Sequence, residues 1–319
     1  MKVACAATLL CLSSPALAQV VDTTLWIPNG PVTAVAVHEG TLYLGGQFTR
    51  LGPATGSALV LDAATGAPLQ PFPLVAGDVS AVAADGDGGW FLAGTFTAVR
   101  GQPRERLAHL NATGDLTEWS PVLEFGGFGP LVYAIAVHAG TVYLAGDFSS
   151  VNGEPRNGLA AVDAASGETL PWNPPAPNNR VRAFAVSDGM IFAGGDFTSI
   201  GTETRNHLAA FDIGTGHLSS WNPDANEFVL ALLARDGVVY AGGAFSNIGG
   251  WTRGRIAAID GKNGTVTDWD PNATGGPVRA LAASDSAIYA SGGFYTIGGQ
   301  PRQAVAALDP TTGQATSWN

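Results

Sequence analysis

Five arginines stand at one recurring position and invite a chemical reading. Arg104, Arg156, Arg205, Arg253 and Arg302 each lie seven residues before an acid or amide: Asn111, Asp163, Asp212, Asp260 and Asp309. A row of guanidinium groups can bind an anionic ligand such as an acidic glycan, because the planar fork matches carboxylate geometry. The same row can be internal, each Arg pairing with a carboxylate or capping carbonyls of its own repeat. Strict repetition favours the internal role, since binding sites tend to break a repeat's symmetry. The acids carry a similar choice: Asp163, Asp212, Asp260 and Asp309 are conceivable metal ligands, but each also suits a tight turn.

Unrepeated groups are fewer. Asp147 and Asp196 precede a phenylalanine where the equivalent positions hold Gln47, Thr95, Ala244 and Gly293. Neither has a second acid at a recognisable spacing, so acid/base catalysis is not indicated. The five histidines, His38, His109, His138, His207 and His217, form neither H-x-H nor H-E-x-x-H, which removes the usual zinc patterns. Nucleophile-elbow and phosphate-loop motifs are absent. Asp85-Gly86-Asp87-Gly88-Gly89 mimics the start of a calcium loop but lacks its later acid, so it reads as a hairpin turn. The sequence therefore names no cofactor, no metal and no catalytic residue.

These residues are positioned by a repeat. A phenylalanine recurs at Phe48, Phe96, Phe148, Phe197, Phe245 and Phe294; the Asp or Asn follows at Asp62, Asn111, Asp163, Asp212, Asp260 and Asp309; each unit ends near Phe72, Trp119, Trp172, Trp221, Trp269 or Trp318. Three anchors in phase make six units, roughly 31–77, 78–130, 131–178, 179–226, 227–275 and 276–319. Each unit reads as four short strands, with Asp-x-x-Thr-Gly as a turn. Four strands in about 48 residues, apolar on both faces and punctuated by Gly, predict an all-β fold: a β-propeller of six four-stranded blades, with seven possible. Trp26-Ile27-Pro28-Asn29 resembles the end of a further unit and keeps the seventh open. Small residues in the first two strands, Gly pairs included, suit crowding near an axis.

Antiparallel strand order puts the connections from strand two to three and from strand four to the next unit at one end. The enlarged connection 122–130 carries Phe125 and Phe128 there, and Trp251 sits on a loop of the same kind. Such aromatics can stack on a sugar, dock a protein or cover the channel mouth. With Arg156, Arg205 and Arg253 they are the candidate binding residues.

Composition bounds the rest. The chain has 319 residues, 43 Gly, 20 Pro and a formal charge of −11. An acidic surface disfavours nucleic acid, and no later segment suits membrane insertion. Lys2, the apolar stretch 3–12 and Ala16-Leu17-Ala18 read as a signal peptide over 1–18, which predicts a secreted or periplasmic product. Cys5 and Cys11, the only cysteines, fall inside it; Leu10 before Cys11 fits a lipobox badly. Residues 19–319 then form one propeller domain, expected to be a monomer.

The run AGGxFxxIGGxxRxxLAAxDxxTGxxxxWxP, clearest around Ala241-Gly242-Gly243-Ala244-Phe245 and from Ala290 onward, resembles the delta-sixty β-propeller repeat, a bacterial domain family of unknown function. Similar repeats occur in fungal cortical polarity-marker proteins. The first unit departs, with Thr55 in place of Arg and Phe72 in place of Trp. The half-motif Leu-Ala-Ala-x-Asp-x-x-Thr-Gly with a later Trp is also similar to quinoprotein propeller repeats, without the paired cysteines of some of those enzymes. The resemblances imply the fold and leave the activity open. The reading is an exported, non-catalytic propeller binding a glycan or protein. The alternatives are a propeller enzyme (a glycan-active hydrolase or lyase, or a quinoprotein-like oxidoreductase) and a structural module of a longer extracellular repeat protein.

Overall fold

The computed structural model describes residues 32–38, 41–46, 58–62, 74–125 and 131–318. The expected signal segment with Cys5 and Cys11, Trp26, Phe48, Thr55, Phe72 and Phe128 lie outside the described residues. Among those described, every regular element is a strand.

Each unit builds a small antiparallel sheet of the same plan. In the fourth, Val181–Ser187 pairs with Met190–Gly195, which pairs with Leu208–Asp212. The third (Leu131–His138, Thr141–Asp147, Leu159–Asp163) and fifth (Val229–Arg235, Val238–Gly243, Ile256–Asp260) repeat it. In the second to sixth units the connection between strands two and three holds a small hairpin of two-residue pairings, as in Ser199–Ile200 with Glu203–Thr204. It pairs with the segment entering the unit through bridges such as Pro177 to Ile200 and Ala225 to Ile248.

The expected fourth strand is shorter than a strand. It is a single bridge: Leu110 to Leu116, Val162 to Thr169, Phe211 to Leu218, Ile259 to Val266 and Leu308 to Ala315. The cause is local. Beyond the bridge, the carbonyls of Thr117, Leu170, Ser219, Thr267 and Thr316 accept from the repeated arginines at 2.7–3.0 Å. The chain then turns so that the tryptophan can leave its own sheet.

That tryptophan joins neighbours. Trp119, Trp172, Trp221 and Trp269 donate Nε1 to the carbonyls of Asp163, Asp212, Asp260 and Asp309, each in the following unit, at 2.9–3.1 Å. Each ring also meets a second-strand aromatic of its own unit edge-on: Phe91, Tyr143, Phe192 and Tyr240. The apolar core is correspondingly a series of layers between units. One layer holds Phe192 and Trp221 with Phe245 and Ile259; another holds Tyr143 and Trp172 with Phe197 and Phe211. Each first strand lies against the first strand of the next unit, and Thr274–Ser284 of the sixth lies against Val32–His38 of the first.

The Gly pairs make this closeness possible. A Cβ on Gly194 would stand 2.6 Å from Cγ1 of Val229 in the next unit, and one on Gly195 would stand 2.1 Å from the Arg180 carbonyl. Gly195→Ala therefore displaces backbone, not a flexible side chain. It should cost about 1–3 kcal/mol or more, read as a fall in the urea midpoint at unchanged slope.

Candidate functional site at the channel mouth

First-strand residues of every unit, from Ala34 through Ala134 and Ala231 to Ala280, surround an axial cavity of about 130 Å³. At its mouth the first strands share a defect. The register slips between Val32 and Ala34, Val79 and Ala81, Val132 and Ala134, Val181 and Ala183, Val229 and Ala231, and Val278 and Ala280. A bulge of this kind re-aims the extra residue. The extra residues are Thr33, Ser80, Tyr133, Arg182, Leu230 and Arg279, and apart from arginine at both 182 and 279 they do not repeat.

Those of the third and fourth units build a polar cluster. Tyr133 donates its hydroxyl to Asp147 Oδ2 at 2.5 Å. Arg182 holds Asp196 with both arms, Nε to Oδ1 at 2.6 Å and Nη2 to Oδ2 at 2.5 Å. Arg180 approaches Asp147 at 3.4 Å, and the guanidiniums of Arg180 and Arg182 lie 5.4 and 5.8 Å from the Tyr133 ring centroid. Ser80 donates to the Val132 carbonyl. Asp147 and Asp196, singled out in the sequence as unrepeated, thus meet here. Their partners were not singled out, yet a signal existed: Tyr133 and Arg182 each lie 14 residues before their Asp.

Burial, then the Asp147 hydrogen bond and charge, push the Tyr133 phenol up to about 12 against the opposing pull of Arg180 and Arg182. Its proton is held more tightly in the folded than in the unfolded chain. The stabilisation is therefore complete below pH about 10 and lost as pH climbs from there toward 12. Burial also raises the phenols of Tyr143 and Tyr240, so a tyrosinate absorbance titration should show several phenols ionising late, and Tyr133→Phe should remove the latest of these components. Loss of an early component instead would contradict the geometry.

The other candidate residues lie elsewhere. Arg156 and Arg253 are 7% and 8% exposed. Their Nη2 groups donate to Leu170 and Thr267 and their Nη1 groups to Pro155 and Thr252; Arg205 does the same with Ser219 and Thr204. These donors face carbonyls of their own unit. Trp251 is 56% exposed on a hairpin, with the Arg253 guanidinium 5.6 Å from its ring centroid. Phe125 is 44% exposed beside the pairing Leu123–Glu124. Phe228 and Tyr295 are further exposed aromatics. They stand at the same end of the sheets as the mouth, one just before a first strand and one just after Phe294.

The turn acids point at their own backbone. Asp212 Oδ1 accepts from the Thr215 hydroxyl and amide and from Gly214, which holds its carboxyl below the usual range, the hydroxyl contributing most. Asp163 and Asp309 are lowered the same way, chiefly by the amides of Ser166 and Thr312. Asp85 Oδ1 accepts from Asp87 and Gly89, and its Oδ2 meets His109 Nε2 at 3.0 Å. Among the described residues no three His, Cys, Asp or Glu gather as metal ligands would.

Repeated small antiparallel sheets, interlocked by tryptophan around an axial cavity, define an all-β, propeller-like module. The chain belongs to the PQQ_2 family, described as outer membrane protein assembly factor BamB, whose model matches residues 156–318. Of the resemblances read from the sequence, this match falls on the quinoprotein-like repeat. The chain is also similar to a solved structure, the computationally designed Ika8 protein, with a TM-score of 0.53 and 16% identity over 90% of this chain and 86% of that one. At that identity the likeness is one of fold. No curated protein matches.

A quinoprotein-like repeat raises the question of a pyrroloquinoline quinone. The axial cavity of about 130 Å³ is well below the roughly 300–1,000 Å³ that enclose ligands of that size. Its lining is Ala, Val, Ile, Leu and Phe184, with Ser80, Tyr133, Arg182 and Arg279 as the polar members. These residues do not fit the cofactor.

Proposed function

We propose that the chain is an exported, non-catalytic binding module. In this reading it is a six-bladed propeller of delta-sixty-type repeats that holds a partner on the face where the axial cavity opens. The carrying observation is that the unrepeated polar groups, Ser80, Tyr133, Asp147, Arg180, Arg182, Asp196 and Arg279, concentrate at that mouth, on a scaffold that otherwise repeats. Six blades are supported by the contacts of the first strands in chain order, the last with the first. Export to the periplasm or medium is supported by the signal-like segment 1–18. A binding role is favoured over catalysis because Asp147 and Asp196 are both engaged by arginine, and Tyr133 is held as a hydrogen-bond donor. Between the two partner classes, glycan and protein, the family's description as an assembly factor favours protein.

The test is a binding screen of the secreted chain against arrayed glycans and peptides, beside a Phe125→Ala/Phe228→Ala/Tyr295→Ala variant of equal melting temperature. Capture by the native chain and its loss in the variant is the expected result. Capture that ignores these aromatics, or turnover of a captured ligand, would overturn the reading.

A further inference from the structure

Among the described residues, one cation at the mouth has no side-chain partner. Arg182 is matched by Asp196, Arg180 by Asp147, and Arg255 donates to the carbonyls of Ala244 and Gly275. The position 14 residues after Arg279, where Arg182 finds Asp196, is Gly293. Arg279 is exposed and makes no hydrogen bond or ion pair among the described residues. In a chain of net charge −11, most other arginines have an acceptor, so a bare guanidinium at the end of an axial cavity is a local feature. It sits over walls of aliphatic side chains, among them Ala231, Leu232, Ala280 and Leu281.

Building on the binding-module reading, we infer that the mouth seats the C-terminal carboxylate of a peptide on Arg279, with an aliphatic last side chain entering the axial cavity. A guanidinium fork suits a carboxylate. A cavity of about 130 Å³ admits one side chain and little more. An acidic sugar offers the same charge but brings hydroxyls, and the polar groups that could receive them already engage one another. Hydroxyls pressed against the Ala and Leu wall without partners are costly. The observations therefore favour the peptide.

The experiment titrates the full chain with a labelled pentapeptide ending in leucine, its C-terminal amide, its glycine-ended analogue and oligogalacturonate. The free acid should bind. The amide should bind at least about tenfold more weakly, and the glycine-ended peptide should be weakened as well. Arg279→Ala should lose at least about tenfold at unchanged melting temperature. Arg279→Lys should recover part of the loss, since charge returns without the fork. Equal binding of acid and amide, or indifference to Arg279→Ala, overturns the inference. Binding of oligogalacturonate alone through Arg279 overturns the peptide assignment. If no probe uses Arg279 while the aromatic-rim variant still loses a captured partner, this inference fails and the binding-module reading stands.

Discussion

Trp221→Ala should lower the stability of the domain by about 3–5 kcal/mol, the range for deleting a large buried ring. Trp221 is 2% exposed, its ring lies 5.0 Å from that of Phe192, and Nε1 donates to Asp260 at 3.0 Å. Alanine leaves a void between two units and an unsatisfied carbonyl in the next one. Trp221→Phe keeps most of the packing and gives up the hydrogen bond, so it should cost about 1–2 kcal/mol. Trp318→Ala should cost under about 1 kcal/mol, because that ring is 49% exposed. Urea unfolding of the three variants measures the order. If Trp318→Ala matched Trp221→Ala, the sixth unit would have to be clamped to a neighbour as firmly as the fourth is. A repeat array is held by its interfaces between units. The slope of unfolding should accordingly stay constant if the domain unfolds as one, and fall if loss of Trp221 lets units 4 and 5 part.

The repeat was legible because each anchor has one task that one residue type does well. Phe197 and Phe245 fill the interior beneath the hairpin with 0% exposure, Asp212 closes a turn, and Trp221 reaches across to the following sheet. The fourth strand was less legible. Ser219 and Thr267 each follow an apolar residue as in a strand, but their carbonyls accept from Arg205 and Arg253; strict repetition marks the arginines as internal, yet the sequence does not reveal that the carbonyl each takes lies 14 positions later. The site was half legible. Asp147 and Asp196 broke the repeat visibly. Tyr133, Arg182 and Arg279 stand on bulges, where the residue type is free to vary because it no longer serves the ladder. A position that varies looks like noise until the bulge is known. The exposed aromatics were legible only in part: Phe125 and Trp251 stand on recognisable loops, whereas Phe228 sits one residue before an ordinary strand and gave no signal.

Arg253→Ala and Arg279→Ala should separate the two kinds of arginine. Arg253 is buried and makes two hydrogen bonds to carbonyls, Thr252 at 3.0 Å and Thr267 at 2.8 Å, with Asp270 at 3.6 Å. Its loss frees the hairpin 247–252 from the bridge that ends the unit and strips Trp251 of its stacked cation. A drop of about 2–3 kcal/mol follows from hydrogen bonds made by a charged donor. Lysine should rescue little of it, because one ammonium cannot span both carbonyls as the fork does. Binding of the free-acid peptide should be unchanged once the protein is compared below its lowered melting temperature. Arg279→Ala should do the reverse, leaving the urea midpoint in place and weakening the peptide. A mouth ligand that responded to Arg253→Ala as strongly as to Arg279→Ala would make the repeated arginines part of the recognition surface. The division argued from geometry is that repeated residues hold units together, while residues that break the repeat face the ligand.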